Sequence, residues 1–405
     1  MNIAMINMTV EGSTGRIMLD IASQARNCQH KVWTYSPYPL SKHYKKKPDE
    51  PYGHMFYGTW IGRKIHNIIG RIFGCNGKLS FFDTLQLIRD MKNKKIEIIH
   101  LHNLHSYCIN FPILFRFIKK HNVKVIWTLH DCWTFTGHCP HFEMIGCEKW
   151  KYGCCNCPQI YEYPQSLVDN SKNQYHFKKK WFTDIKNMII VTPSVWLADK
   201  VKQSFLRDYQ IRVINNGIDI SVFKPMVSDF REKFNLQEKF ILLGVSFSWG
   251  KKKGLDVFEE LAKRLDPSIF QIVLIGVSSV EKESLPVNIL SVNRTDSMKE
   301  LASIYSTADI FINPTREDTY PTVNMESIAC GTPVLSFNAG GSPEILNNET
   351  GLVVPCDDVD ALEQSILHIY NNSVFCKEKV AEYGVKFNKT DRFKEYVRLY
   401  EETQK

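Results

Sequence analysis

Three carboxylates stand close together in NPTREDTYPTVNMESIACGTPVLSFNAGGSPE, residues 313–344. A strand pattern, Ile310–Asn313, ends at Pro314, and the loop behind it carries Glu317 and Asp318. A helix is expected to begin near Thr322, which puts Glu326 in its early turns, eight positions after Asp318. Ligands of open α/β sheets sit beyond the carboxyl ends of strands. The free N–H groups and dipole of a helix start attract phosphate there. Carboxylates in the same place suit hydroxyls, because one carboxylate accepts from two vicinal OH groups. Phosphate plus polyol means a nucleotide, a sugar phosphate, or both.

GVSFSWGKKKGLD, residues 244–256, is a strand end followed by a Gly- and Lys-rich turn into a helix. Lysines on such a turn neutralise a diphosphate and glycines let the backbone approach it. The plain alternative is a solvated basic turn. EGSTG, residues 11–15, follows the first strand and opens a helix, a turn that faces a phosphate or substrate. WTLHDCWTFTGHC, residues 127–139, ends its strand at His130 and Asp131. A histidine at a sheet's carboxyl edge can bond a substrate hydroxyl or steer a proton, with Asp131 orienting the ring. His100, His102 and His105 lie just upstream, and with no carboxylate near in sequence they read as structural or substrate-lining rather than metal-binding.

Six of the twelve cysteines fall between Cys132 and Cys157. Cys139, Cys147, Cys154 and Cys157 are spaced C-x7-C-x6-C-x2-C, a set that suits a tetrahedral structural zinc. One CxxC knuckle rather than two leaves buried free thiols as an equal reading.

Short, nearly continuous apolar strands must position these groups: Asn2–Met8, Ile96–Leu101, Val123–Leu129, Met188–Val191, Arg212–Ile214, Phe240–Val245, Ile269–Ile275, Ile310–Ile312 and Pro333–Phe337. Helical patterns lie between several of them, such as Trp196–Phe205, Leu255–Leu265, Met298–Tyr305 and Val323–Ala329. That alternation implies α/β folding with parallel sheets covered on both faces, and the length implies two sheets. Asn, Gly and Pro interrupt the pattern at residues 215–225, a plausible linker. A lone amphipathic helix, Asp391–Glu402, ends the chain.

The carboxylate segment resembles the Glu-x7-Glu signature of glycosyltransferase family 4, retaining enzymes of the GT-B fold, and ACGTPV and GGSPE are similar to that family's continuation. The resemblance implies two Rossmann-like parallel-sheet domains facing a cleft. Residues 1–215 would bind the acceptor, residues 216–385 the nucleotide sugar, and residues 386–405 would form a helix returning to the first domain. It implies that Glu326 binds the ribose and that Asp318, with Glu317 adjacent, meets the donor sugar; which of the two does so stays open, since the family has Glu where this chain has Asp318. Lys253 matches the family's diphosphate lysine. The family's arginine falls on Phe247 or Ser248, so Lys251 or Lys252 is left to supply the second cation. Gly12 and Gly15 would contact the donor through their backbone, and His130 would face the transferred sugar. The Cys-rich stretch, about residues 132–158, resembles an insertion in a subgroup that builds colanic acid, other exopolysaccharides or O-antigens. Expected partners are a nucleoside-diphosphate sugar and a glycan acceptor linked to undecaprenyl diphosphate. No cofactor is expected for catalysis, because Asp358-Val-Asp360 reads as a helix cap rather than a metal motif. A nucleotide-sugar epimerase on the same fold, and a non-enzymic zinc-stabilised protein bound to membrane or nucleic acid, are the rival readings.

Composition bounds all of this. With 43% hydrophobic residues the chain cannot be disordered. Residues 1–220 hold 30 Lys and Arg against 16 Asp and Glu, and residues 221–405 hold 21 against 27. A net +14 in one half and −6 in the other argues for an anionic surface met by the first half. The basic half contains the aromatic–cationic stretches 41–47, 60–73, 115–120 and 177–182, of which 60–73 is read either as an interfacial helix on anionic lipid or as a core-facing helix. No nucleic-acid motif accompanies them. No apolar run approaches a spanning length and the start does not read as a signal peptide, so a cytoplasmic, peripheral location is expected.

Overall fold

The computed structural model describes residues 1–39, 54–105 and 107–403, so the basic stretch 41–47 lies outside the described residues. The chain divides into two compact units, Met1–Asn215 with Phe393–Lys405, and Asn216–Arg392.

The first unit is built on strands β1 (Asn2–Ile6), β2 (Lys31–Pro37), β3 (His54–Tyr57), β4 (Ile98–Leu101), β5 (Lys124–Thr128), β6 (Met188–Thr192) and β7 (Gln210–Val213). They form one parallel sheet in the order β3-β2-β1-β4-β5-β6-β7. Ile3 to Ile6 are wholly buried, as a strand covered on both faces must be. Helices Phe81–Asn93 and Phe111–His121 cover one face through Leu87, Leu114, Phe115 and Ile118. The other face is covered by Gly12–Asn27 together with the chain's last helix, Lys389–Glu402. Phe393, Tyr396, Val397, Leu399 and Tyr400 of that helix pack among Ile3, Met5, Ile98 and Ile126.

The second unit carries β8 (Phe240–Val245), β9 (Phe270–Ile275), β10 (Ile289–Val292), β11 (Ile310–Asn313), β12 (Val334–Phe337) and β13 (Gly351–Val354) in the order β10-β9-β8-β11-β12-β13, again parallel. Asp358 caps the helix Val359–Asn372 by accepting from the Ala361 N–H at 2.8 Å, the role read for it from sequence.

In each sheet the strand order reverses once, between β1 and β4 and between β8 and β11. Loops leaving the carboxyl ends of strands diverge at such a point and leave a crevice for a ligand. Four strands carried too weak a pattern to be read from sequence: β2, β3, β10 and β13. Three of them lie at sheet edges, where half-exposed backbone tolerates Ser, His and Gly in place of an apolar run.

Candidate functional site

In the second unit the β8/β11 reversal brings the lysine turn and the carboxylate loop together. The turn is a short helical one, Lys251–Lys253, and two backbone contacts seat the β11 loop on it: the Arg316 N–H donates to the Lys252 carbonyl at 2.9 Å, and the Thr315 hydroxyl reaches the same oxygen at 3.4 Å. Arg316 locks the arrangement. Its guanidinium is bidentate on Asp256 at 2.8 and 2.9 Å, donates from Nε to Asp357 at 2.6 Å, and also bonds the Lys251 carbonyl. Sequence reasoning passed over Arg316. Its partners lie 60 and 41 positions away, so no local pattern marks it.

On this platform Lys253 Nζ donates to Asp318 Oδ2 at 2.7 Å, and the Tyr320 N–H donates to Asp318 Oδ1 at 3.2 Å. Lys252 Nζ stands 3.6 Å from Glu317 Oε2. The two neighbouring carboxylates differ in access: the Glu317 side chain is 2% exposed and that of Asp318 23%. The GG of GGSPE wraps the Asp318 backbone. The Gly341 N–H donates to the Asp318 carbonyl at 3.0 Å, and a Cβ on Gly340 (φ +58°) would lie 1.7 Å from that oxygen. Glu326 is buried in the helix Thr322–Ala329 and accepts from the Tyr305 hydroxyl at 3.4 Å. No side chain caps that helix, whose first N–H groups face the same loop end. The resemblance expects an arginine at Phe247 or Ser248; the Arg294 guanidinium, from the loop after β10, lies over the Phe247 ring, 4.2 Å from its centre.

In the first unit the β1/β4 reversal gathers Asn7, Asn103, His130 and Asp131. Asn7 accepts from the Asn103 N–H at 3.1 Å, and Asn103 Nδ2 donates to Asp131 Oδ2 at 3.1 Å. His105 Nε2 lies 3.0 Å from the same oxygen, and the Trp133 N–H donates to Asp131 Oδ1 at 2.9 Å. Burial pushes the Asp131 carboxyl up, but His105, together with His141 and the Trp133 N–H, more than reverses this, to about 2. His102 Nδ1 lies 2.9 Å from His130 Nε2. Beyond it the His100 ring lies tilted against His102, their centres 4.2 Å apart, and bonds Tyr400 Oη at 2.7 Å and Thr128 Oγ1 at 2.8 Å. Burial lowers His130 to about 4 and His100 to about 3, so both rings are neutral at pH 7. Gly12 begins the helix Gly12–Asn27, and a Cβ on Gly15 would lie 2.3 Å from the Val10 carbonyl carbon, so the turn and helix meet flush.

Cys139, Cys147, Cys154 and Cys157 are free thiols that line one small cavity with Phe142, Trp150 and Ser171. The Gly137 N–H donates to Cys154 Sγ at 3.1 Å. A hydrogen bond from Cys139 brings the Cys157 thiol down to about 7, while burial pushes Cys154 up to about 11. Among the described residues, no group of three or more His, Cys, Asp or Glu side chains is already drawn together as a metal ion requires. Lys178, in the aromatic–cationic stretch 177–182, is buried over the Trp133 ring, donating to the carbonyls of Trp133 at 2.6 Å and Thr136 at 3.0 Å.

Comparison with known proteins agrees with this geometry. Residues 14–222 match the family profile Glycosyltransferase Family 4, and residues 238–372 match Glycosyl transferases group 1. A putative colanic acid biosynthesis glycosyl transferase, WcaC of Escherichia coli K12, is 27% identical over 276 residues, a match spanning 66% of each chain, just under two thirds. The sucrose-phosphate synthase of Thermosynechococcus elongatus superposes with a TM-score of 0.73 at 16% identity, over 99% of this chain and 98% of that one. Anabaena HepE, solved in complex with UDP-glucose, superposes with a TM-score of 0.68 at 11% identity, over 99% of each. The fold is therefore GT-B. With one profile covering more than half its length, the chain belongs to glycosyltransferase family 4 and is a glycosyltransferase.

Proposed function

We propose that the protein transfers a sugar, with retention at the anomeric carbon, from a nucleoside-diphosphate sugar to a lipid-diphosphate-linked glycan during assembly of a bacterial surface polysaccharide. The observation that carries this is the Lys253–Asp318 pair at the β8/β11 reversal, with Glu326 on the helix that follows the same loop. Glu326 accepts from the ribose hydroxyls, and the uncapped N–H groups of its helix receive the diphosphate. Asp318, the more open of the neighbouring carboxylates, accepts from donor-sugar hydroxyls. Lys253 is already held 2.7 Å from Asp318, so it stands where the negative charge of the departing diphosphate develops. Arg294, over the Phe247 ring, supplies the second cation, and Lys252 is occupied with Glu317. His130, neutral and held by His102, offers a hydrogen bond to the sugar without adding charge. The HepE complex with UDP-glucose supports a nucleotide-sugar donor, and the colanic acid relative supports a polysaccharide product.

Incubating the purified enzyme with a panel of nucleotide sugars and a lipid-linked glycan tests this, with the new linkage assigned by NMR. Transfer with retained configuration is expected. Inversion overturns the mechanism, and an epimerised sugar without transfer overturns the activity. For the cysteine cluster we propose a structural zinc held by Cys139, Cys147, Cys154 and Cys157, which would close the thiols in from the cavity they line. Elemental analysis should find about one zinc per chain; protein free of metal and equally stable would remove that proposal.

A further inference from the structure

The helix Trp60–Ile72 is turned the wrong way round for a helix of a water-surrounded domain. At about 100° per residue, Ile61, Ile65, Ile68 and Ile72 fall within about 60° of arc, an apolar stripe that ordinarily faces a core. Here the stripe faces outward: the four isoleucines are 63%, 50%, 48% and 42% exposed. The side turned to the protein carries His66 and Gly70 instead, both buried, with His66 Nδ1 2.7 Å from Ser80 Oγ. Phe73 ends the stripe, and Phe81 and Phe82 at the start of the next helix are also exposed, Phe82 to 82%. Exposing this much contiguous apolar surface is costly unless something covers it.

Charge identifies the cover. From Trp60 to Phe82 there are four basic residues and no acidic one. Lys64 flanks the stripe with its ammonium 4.5 Å from the centre of the Trp60 ring, an aromatic–cation pair of the kind that sits at headgroup level. A second copy of this face would bring like charges together, whereas an anionic bilayer accepts both the stripe and its rim.

We propose that the helix Trp60–Ile72, with Phe73 and Phe82, is the surface by which this enzyme lies on an anionic lipid bilayer, its isoleucines entering the acyl boundary and Lys64 and Lys78 meeting lipid phosphate. The proposal deepens the lipid-linked acceptor reading and rests on it. Co-sedimentation of the full-length protein with phosphatidylglycerol/phosphatidylethanolamine vesicles tests it, against vesicles of phosphatidylcholine alone. Ile65→Asp with Ile68→Asp should weaken binding to the anionic vesicles by about tenfold or more. Lys64→Glu with Lys78→Glu should weaken it by roughly tenfold and abolish the preference for anionic lipid. Both variants should keep the wild-type circular dichroism and melting temperature. Wild-type protein that ignores anionic vesicles, variants that bind as well as wild type, or a dimer in light scattering that the isoleucine substitutions dissolve would each overturn it. Transfer to a water-soluble acceptor separates the two readings. Transfer without vesicle binding removes the surface and leaves the enzyme; vesicle binding without transfer does the reverse.

Discussion

Lys253 and Asp318 are partners to each other before any donor arrives, and this shapes what each substitution should do. The pair is more than a third open on the lysine side, so its own contribution to stability is small. On the proposed mechanism its value lies in placing the ammonium where phosphate charge grows. Lys253→Ala should therefore lower kcat by roughly 10²-fold while leaving the melting temperature nearly unchanged. If Glu326 accepts from the ribose equally in ground and transition states, as proposed, Glu326→Ala should raise the donor KM by about tenfold and spare kcat. Initial-rate kinetics separates the two, and equal effects on both parameters would show that the roles are wrongly divided. The histidines of the first unit make a different prediction. His130 and His100 titrate at about 4 and 3 in the fold against 6.5 unfolded, because burial penalises their charged forms. Between pH 6.5 and those values the unfolded chain takes up protons that the folded one does not. Stability is thus full above pH 6.5 and falls as the pH drops towards 4. Urea midpoints from pH 7.5 to 4.5 should decline, and the decline should shrink when His130 is replaced by Asn.

At the level of elements, the site depends on how tightly loops are laid against one another. Gly340 shows this best, since any Cβ there would sit 1.7 Å from the Asp318 carbonyl in a left-handed backbone. Gly340→Ala should displace the Asp318 loop, cost about 1–3 kcal/mol, and reduce kcat/KM as far as Asp318→Ala does. Unchanged kinetics would mean the wrap is incidental. This is also where the legibility of the sequence divides. β8 and β11 are continuous apolar runs with their chemistry at the carboxyl ends, so FILLGV followed by KKKG and IFIN followed by TRED could be read directly. The outward isoleucines of Trp60–Ile72 could not: periodicity shows that a stripe exists but not which way it faces. Nor could Lys178, whose place under Trp133 follows from tertiary packing against a distant loop. Arg316 was hidden for the same reason, its carboxylate partners being supplied by the starts of two other helices.

Across the whole molecule the first unit is discontinuous, and its last piece comes from the end of the chain. Tyr400 bonds His100 across 300 residues of sequence, and Thr128 Oγ1 donates to Tyr396 Oη at 3.2 Å across 268. Such contacts repay their loop-closure entropy only after nearly everything between them is made, which slows folding. They also concentrate stability in a short segment. Phe393, Tyr396, Val397, Leu399 and Tyr400 are each buried, and at about 1.5–3 kcal/mol per large apolar side chain their sum rivals the 5–15 kcal/mol of a typical domain. Removing them would also leave His100 buried without its tyrosine. A chain ending at Arg392, which keeps the whole second unit, should therefore lose the cooperative melting of the first unit and bind a hydrophobic dye, while Tyr400→Phe should lower its midpoint by only a few degrees. If the shortened chain melted with the full-length protein, the first unit would be complete without its returning helix, and the long-range contacts would follow folding rather than drive it.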